Sequence, residues 1–363
     1  VSPGFIDIHT HGRGGYQVMD STFESLNAIS KASLQTGVTS FLVSTVTMPI
    51  ESISQGIYRT RESKNKIINE VIIPDLKRAY DMIDKTRESE SSKRSRVNVG
   101  TVCVLMMDVY AWIHAYDMVI QVKEQLINAL NESQWRYLTP GGSDFAIEWR
   151  KMFFETTANE ASREVYFRMA YDRYGNGTNS AIGYFAANSS SKLEISSSLQ
   201  QAYASSDKRG GSTQWVHLNG AKRLRKKFWD DNTVFSGDGR VDSDNDLVVY
   251  RYADVILLYA EALCMQGRTE EAVTQLNRTY TRAGNTPLSA QDYMNTDTLL
   301  EAILAERRRE FVAEGKRWFD LVRTGRWSTY SKLTDEQRIW FPIHRDHLLQ
   351  NPNLEQNPGY ARP

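Results

Sequence analysis

Cysteine and histidine are scarce in this sequence, neither sign of charge is in excess, and no long apolar run occurs. Of 363 residues only Cys103 and Cys264 are cysteines. Each lies in an apolar helical run, VGTVCVLMMDVY and VILLYAEALCMQG, where a thiol behaves as a small hydrophobe. Both are expected to be buried and free, a usage that leaves the redox compartment open. The 44 basic and 44 acidic residues cancel, which removes any global field that would draw nucleic acid or anionic lipid. No stretch reaches the roughly 20 apolar residues that a membrane-spanning helix needs. The opening VSPGFIDIHTHG has no basic region followed by an apolar stretch, so neither a signal peptide nor a lipidated cysteine is expected in the chain as it stands. What is present is enough apolar material for a core, 40%, and 11% aromatic residues, several of them in polar, glycine-containing segments. Exposed aromatics imply a flat ligand or a partner surface.

Residues 1–48 read as strand, helix, strand. FIDIHTH alternates with period two, and STFESLNAISKASLQTG sets Phe23, Leu26, Ile29 and Leu34 near one helical face, with Ser21 or Thr22 as N-cap and Gly37 past the end. VTSFLVSTVT is a β-branched run, which completes a βαβ half-unit. From about residue 60 the strand–helix alternation stops. KNKIINEVIIPDLKRAYDMIDK and VGTVCVLMMDVYAWIHAYDMVIQVKEQLINAL carry apolar residues at three- and four-residue spacing, the second as two helices broken near His114 to Tyr116. Residues 133–245 are turn-rich and predict loops with short helices or strands. The last third is helical: YRYADVILLYAEALCMQG and RTEEAVTQLNRTYTRAG form a hairpin turning at Gly267-Arg268, DTLLEAILAERRREFVAEG a third helix ending at Gly315, and KRWFDLVRTG a short fourth. An extended, proline-punctuated tail closes the chain.

The hairpin, with Ala260 and Ala262 beside Tyr259 and Leu263, has the look of a tetratricopeptide unit, in which small residues let two helices approach closely. ERRREFVAEGKRWFDLVRTGRW and the ending FPIHRDHLLQNPNLEQNPGY resemble the SusD/RagB family of glycan-binding outer-membrane lipoproteins. With RYADVILLYAEAL the match is dense over about 250–360 and looser over 60–130. The resemblance implies a mainly α fold: a tetratricopeptide-like helical scaffold with an irregular loop-rich region, here preceded by the short βαβ segment. It also implies an oligosaccharide ligand, a SusC-type TonB-dependent transporter as partner, a place on the outer face of the cell outer membrane, and neither catalysis nor a cofactor. Within that motif Glu306, Arg309 and Glu310 are expected to pair along their helix, and Trp318 and Phe319 to anchor the next one. Arg307 and Arg308 have an alternative role on a ligand carboxylate.

The front is of another kind. VSPGFIDIHTHGRGG and the later GVTSFLVSTVTMP resemble N-acetylglucosamine-6-phosphate deacetylase, an amidohydrolase barrel in which His-x-His at the end of the first strand helps bind a metal that activates water. The domain division expected is therefore 1–48, a deacetylase-like fragment, and 55–363, a SusD-like domain with helices over 60–131 and 247–327 and loops over 133–245. A chimera of this sort supplies His9 and His11 as metal ligands, but a catalytic metal site usually needs three protein ligands. The other four histidines, His114, His217, His344 and His347, follow no repeating βα pattern. The deacetylase is thus the enzymatic alternative, and a protein-binding helical-repeat scaffold the third reading.

Sugar rings pack their C–H faces on aromatics while their hydroxyls seek Asn, Asp and Arg. In the loop-rich middle Trp149, Tyr174, Tyr184 and Trp215 fit that description, with Arg173, Asn176 and Asn179 as hydroxyl partners. GDGRVDSDND lacks the spacing of a calcium loop and reads as a solvated turn.

Overall fold

The computed structural model describes residues 5–10, 12–13, 15–17, 23–35, 38–43, 64–85, 94–142, 145–150, 152–153, 163–171, 179, 193, 195–210, 227, 245–350 and 355–361. The chain divides into two compact units, one of residues 1–74 with 325–363 and one of residues 75–324.

In the first unit, β1 (Phe5–Thr10) lies parallel to β4 (Val38–Val43), with Phe5 opposite Val38 and Thr10 opposite Val43. Parallel neighbours need a crossover, and α1 (Phe23–Gln35) supplies it, which makes the βαβ unit that the residue pattern predicts. Its buried stripe is Ser25, Ile29 and Ser33, at four-residue spacing, while Leu26 is half-buried. Between β1 and α1 a small antiparallel hairpin pairs β2 (Gly12–Arg13) with β3 (Tyr16–Gln17). Its turn residue Gly15 has φ +83°, a conformation that glycine adopts without strain. The chain's ending, expected as an extended tail, contains helical turns at Glu336–Ile339 and Arg345–Gln350 among its described residues. The Gln356 side chain accepts from the Ile343 amide at 2.8 Å and donates to the Ile343 carbonyl at 3.0 Å, so a single side chain ties residue 343 to residue 356.

The second unit is mostly helical. Asn98 caps α2 (Val99–Trp112) by accepting from the Thr101 amide. The helix is buried almost all round; at Gly100 an added Cβ would sit 2.6 Å from the Trp135 ring. The expected break is present: His114 has φ +60°, and its Nε2 donates to the Arg323 carbonyl at 2.7 Å before α3 (Tyr116–Gln121) begins. Strand β5 (Val165–Met169) pairs antiparallel with β6 (Leu247–Arg251), which leads straight into α4 (Tyr252–Met265). Every residue of α4 from Tyr252 to Cys264 is buried, which marks it as the central helix. Gly267, at φ +74°, turns the chain into α5 (Thr269–Arg282). The small residues Ala260, Ala262 and Ala272 are buried in this hairpin. Both cysteines are buried and free, and burial pushes each thiol up to about 12.

The third helix differs from expectation. α6 (Thr296–Glu310) ends five residues before Gly315; Arg251 donates to the carbonyl of its last residue, Glu310, at 3.0 Å, and Lys227 to the carbonyl of Val312 in the turn that follows, at 2.6 Å. A turn with Ala313 at φ +59° then delivers α7 (Arg317–Arg323). Among the described residues no helix is long and apolar enough to cross a membrane.

Candidate functional site

The motif ERRREFVAEGKRWFDLVRTG builds two things within the second unit: a buried lattice of ion pairs and, beside it, a groove. In the lattice Arg209 pairs with Asp207 at 2.8 Å, Glu306 at 2.8 Å and Glu310 at 2.7 Å. Arg251 pairs with Glu164 at 2.8 Å, Glu310 at 2.6 Å and Glu314 at 2.9 Å. Arg282 reaches Glu164 at 3.1 Å and also Glu310, and Lys227 meets Glu314 at 2.7 Å. All of these side chains are almost wholly buried. Charges taken out of water are tolerated only when each has partners of good geometry, and here every cation touches one or more carboxylates. Burial alone would raise the Glu310 carboxyl, but Arg282, Arg251 and Arg209 together hold it well below the usual carboxylate range. Glu314 is likewise lowered despite burial, by Arg251 and Lys227, whereas burial pushes the Lys227 ammonium down to about 8. A second set joins Arg307 to Asp320 at 2.8 Å, and Arg323 to Asp320 at 2.9 Å and to Glu261. Of the pairs expected along the helix, Glu306 with Arg309 forms at 3.0 Å, while Glu310 turns instead to arginines of three other segments.

The groove has a volume of about 940 Å³ and is lined by β6, the turn after α6, the start of α7, Asp108 and residues around the short helix Ser197–Gln200. Tyr250 donates its hydroxyl to Asp108 Oδ2 at 2.7 Å, and burial together with that carboxylate drives its phenol well above the ordinary tyrosine range. Lys316 Nζ lies 4.0 Å from the centroid of the Tyr250 ring and donates to the Val249 carbonyl at 2.6 Å. Phe319 is 60% exposed and meets Trp112 edge-on, centroids 6.5 Å apart; Trp318 beside it is half-buried. Phe319 is therefore not the core anchor that the sequence implied. The lining combines aromatic and aliphatic side chains with the charged groups of Asp108, Arg308, Glu314 and Lys316, the mixture of apolar wall and a few polar groups found in small-molecule sites.

The sequence-selected ligand residues fare differently. Trp149 has 0% exposure and lies in a core with Phe145, Phe153 and Val165. Arg251 and Arg282 each stand 4.9 Å from its ring, so it packs the lattice and presents no face to a ligand. Its polar neighbours in sequence gave no sign of this, because the guanidinium groups that complete its cover come from residues 100 and more positions away. Asn179 is buried as well and donates to the Asn245 carbonyl at 3.0 Å. Arg173, Tyr174, Asn176, Tyr184 and Trp215 lie outside the described residues. His9 belongs to β1, with only its backbone described, and His11 lies outside the described residues. The sequence offers both Arg307 and Arg308 for a ligand carboxylate; Arg307 is buried on Asp320 while Arg308 lines the groove, a difference that only helical phase signals, and Tyr250 carries no such signal.

Comparison with known proteins gives two kinds of match. A model described as the SusD family matches residues 118–336, more than half of the chain. SusD-like protein P38 of Formosa agariphila is 41% identical over 128 residues, which are 32% of this chain and 25% of that protein. The starch-binding protein SusD of Bacteroides thetaiotaomicron is 31% identical over 134 residues, 32% of this chain and 22% of that protein. The aligned part thus spans a quarter or less of these curated relatives. N-acetylglucosamine-6-phosphate deacetylase of Vibrio furnissii is 43% identical over 65 residues, 18% of this chain and 16% of the enzyme, too short a piece to bring an amidohydrolase barrel with it. Among solved structures, a SusD superfamily protein from Parabacteroides distasonis shares the fold with TM-score 0.63 at 22% identity, covering 82% of this chain and 69% of that one. The complex of surface glycan-binding protein A from Bacteroides thetaiotaomicron with laminarihexaose does so with TM-score 0.61 at 17% identity, covering 85% and 77%.

Proposed function

The chain belongs to the SusD family, and on that premise we propose that it binds oligosaccharide at the outer membrane and delivers it to a SusC-type TonB-dependent transporter. The observation that carries this reading is the family match over residues 118–336, supported by relatives named for starch and glycan binding. No catalytic step belongs to it; capture proceeds by stacking of sugar faces on aromatic rings and by hydrogen bonds to hydroxyls. The residues proposed for contact in the loop-rich region are Arg173, Tyr174, Asn176, Tyr184 and Trp215, with Trp149 removed from the set. Residues 1–48 are read as a deacetylase-like fragment ahead of the SusD-like region from about residue 55.

Calorimetric titration with a panel of oligosaccharides that includes laminarihexaose and maltooligosaccharides tests the reading. At least one is expected to bind saturably, and alanine at Tyr174, Tyr184 or Trp215 to weaken it by about 1 to 3 kcal/mol, the scale for planar groups stacked on aromatics, with the melting temperature unchanged. Absence of saccharide binding, with retention of other proteins on the immobilised chain, would shift the reading to a protein-binding scaffold.

A further inference from the structure

Within the 306–323 stretch Arg307, Arg309 and Arg323 each pair with a carboxylate, and Arg317 donates to the Leu304 carbonyl at 3.1 Å. Arg307 has Asp320, Arg309 has Glu306, and Arg323 has both Glu261 and Asp320. Arg308 lies between two of these and lines the groove, yet among the described residues it touches only hydroxyls: Ser198 Oγ at 2.8 Å and Ser196 Oγ at 3.4 Å. Ser196 Oγ already accepts from the Leu199 amide at 3.2 Å, so its lone pairs are shared. Neutral hydroxyls orient a guanidinium but leave its charge uncompensated, and the fork of donors on arginine matches a carboxylate in two-point fashion. Arg308 is half-buried, held in place but open to an incoming group.

In the same lining stand Phe319, 60% exposed, and the half-buried Trp318. An exposed ring calls for a flat, apolar surface, which the C–H face of a pyranose provides. The volume of about 940 Å³ lies toward the upper end of the range for ligand pockets, about 300 to 1,000 Å³. A ligand that offers both a flat ring and a carboxylate is a sugar acid.

We propose that the groove between β6 and the start of α7 is a subsite for uronate-bearing oligosaccharides, with Arg308 receiving the carboxylate and Phe319 and Trp318 receiving the ring faces. This rests on the glycan-binding reading but assigns it a class of sugar and residues other than the loop residues proposed above.

The full chain is titrated calorimetrically with trigalacturonate and with neutral galactotriose at one ionic strength, and the melting temperature of every variant is recorded. Trigalacturonate is expected to bind at least about tenfold more tightly, the ratio that one charge-assisted hydrogen bond supplies. Arg308→Ala is expected to abolish that preference, Arg308→Lys to keep part of it as a point charge without the fork, and Phe319→Ala to weaken both sugars. Equal affinities that Arg308→Ala leaves unchanged, with saccharides still bound, overturn the subsite and leave glycan binding standing. If neither these sugars nor the wider panel bind, both readings fall; binding of an acidic hexapeptide through Arg308 in that case would mark the groove as a protein-docking surface.

Discussion

Around Trp149 the rings of Phe145 and Phe153 and the guanidinium groups of Arg251 and Arg282 leave no exposed surface, whereas Trp318 and Phe319 look onto an open groove. Both clusters lie in one unit and both are written in polar surroundings, FAIEWRK and KRWFD. The difference lies in what arrives from elsewhere in the chain. Trp149 is covered by cations that are themselves held by Glu164, Glu310 and Glu314, and cation–ring contacts of this kind gain strength when shielded from water. Phe319 receives the edge of Trp112 and otherwise faces solvent. A buried aromatic enclosed by ion pairs serves the fold, and an exposed aromatic on a groove is left open to a ligand.

Substitutions that treat the two clusters alike should therefore give unlike results. The largest effect is expected for Trp149→Ala, which removes a fully buried ring and should cost about 3 to 5 kcal/mol, read as the midpoint shift in chemical denaturation; an unchanged midpoint would mean that the ring is not enclosed. Glu310→Gln leaves Arg209, Arg251 and Arg282 short of a shared partner. Loss of one member of a buried pair should destabilise by about 3 to 5 kcal/mol, here at the lower end because the amide keeps some hydrogen bonds.

Acid should act through the same lattice. A carboxylate whose pKa is lowered by folding contributes its stability in full above the unfolded value and loses it as pH falls through the folded value. Glu310, Glu314, Asp207 and Asp320 are all lowered. Stability is expected to hold near neutrality and to fall progressively below about pH 4, where free carboxylates begin to protonate; Glu310→Gln should flatten that slope. Denaturation midpoints between neutral pH and pH 3 read this directly, and a flat profile would contradict it.

Smaller effects follow. Gly100→Ala sets a methyl against the Trp135 ring at 2.6 Å and should cost about 1 to 3 kcal/mol by overpacking, which thermal melting can resolve. Phe319→Ala is expected to change stability by no more than about 0.5 kcal/mol, as surface changes usually do. A loss several times larger would return Phe319 to the role of core anchor and erase the contrast with Trp149.

Much of the helical order was legible in the residues. Apolar spacing placed helices within 99–130, broken near 114–116, and within 250–267 and 268–284, and the glycine at 267 marked the hairpin turn, because periodicity and positive-φ punctuation are local properties. The βαβ front was legible for the same reason: alternation, an amphipathic helix and a β-branched run are contiguous signals. The end of α6 was not, since the groups that take up the carbonyls at and just beyond it, Arg251 and Lys227, lie far off in sequence.

The sequence by itself determined the helical scaffold, the short front unit, the buried free thiols and the family. Only the tertiary structure decided which aromatics and which arginines face inward, as Arg307 and Arg308 show: adjacent and chemically identical, one ends on Asp320 in the core and the other on serine hydroxyls at a groove. The reason is physical. Helix formation depends on neighbours within a turn or so, but the burial of a charge or a ring depends on whether distant segments bring the carboxylates, guanidiniums or rings that make burial affordable.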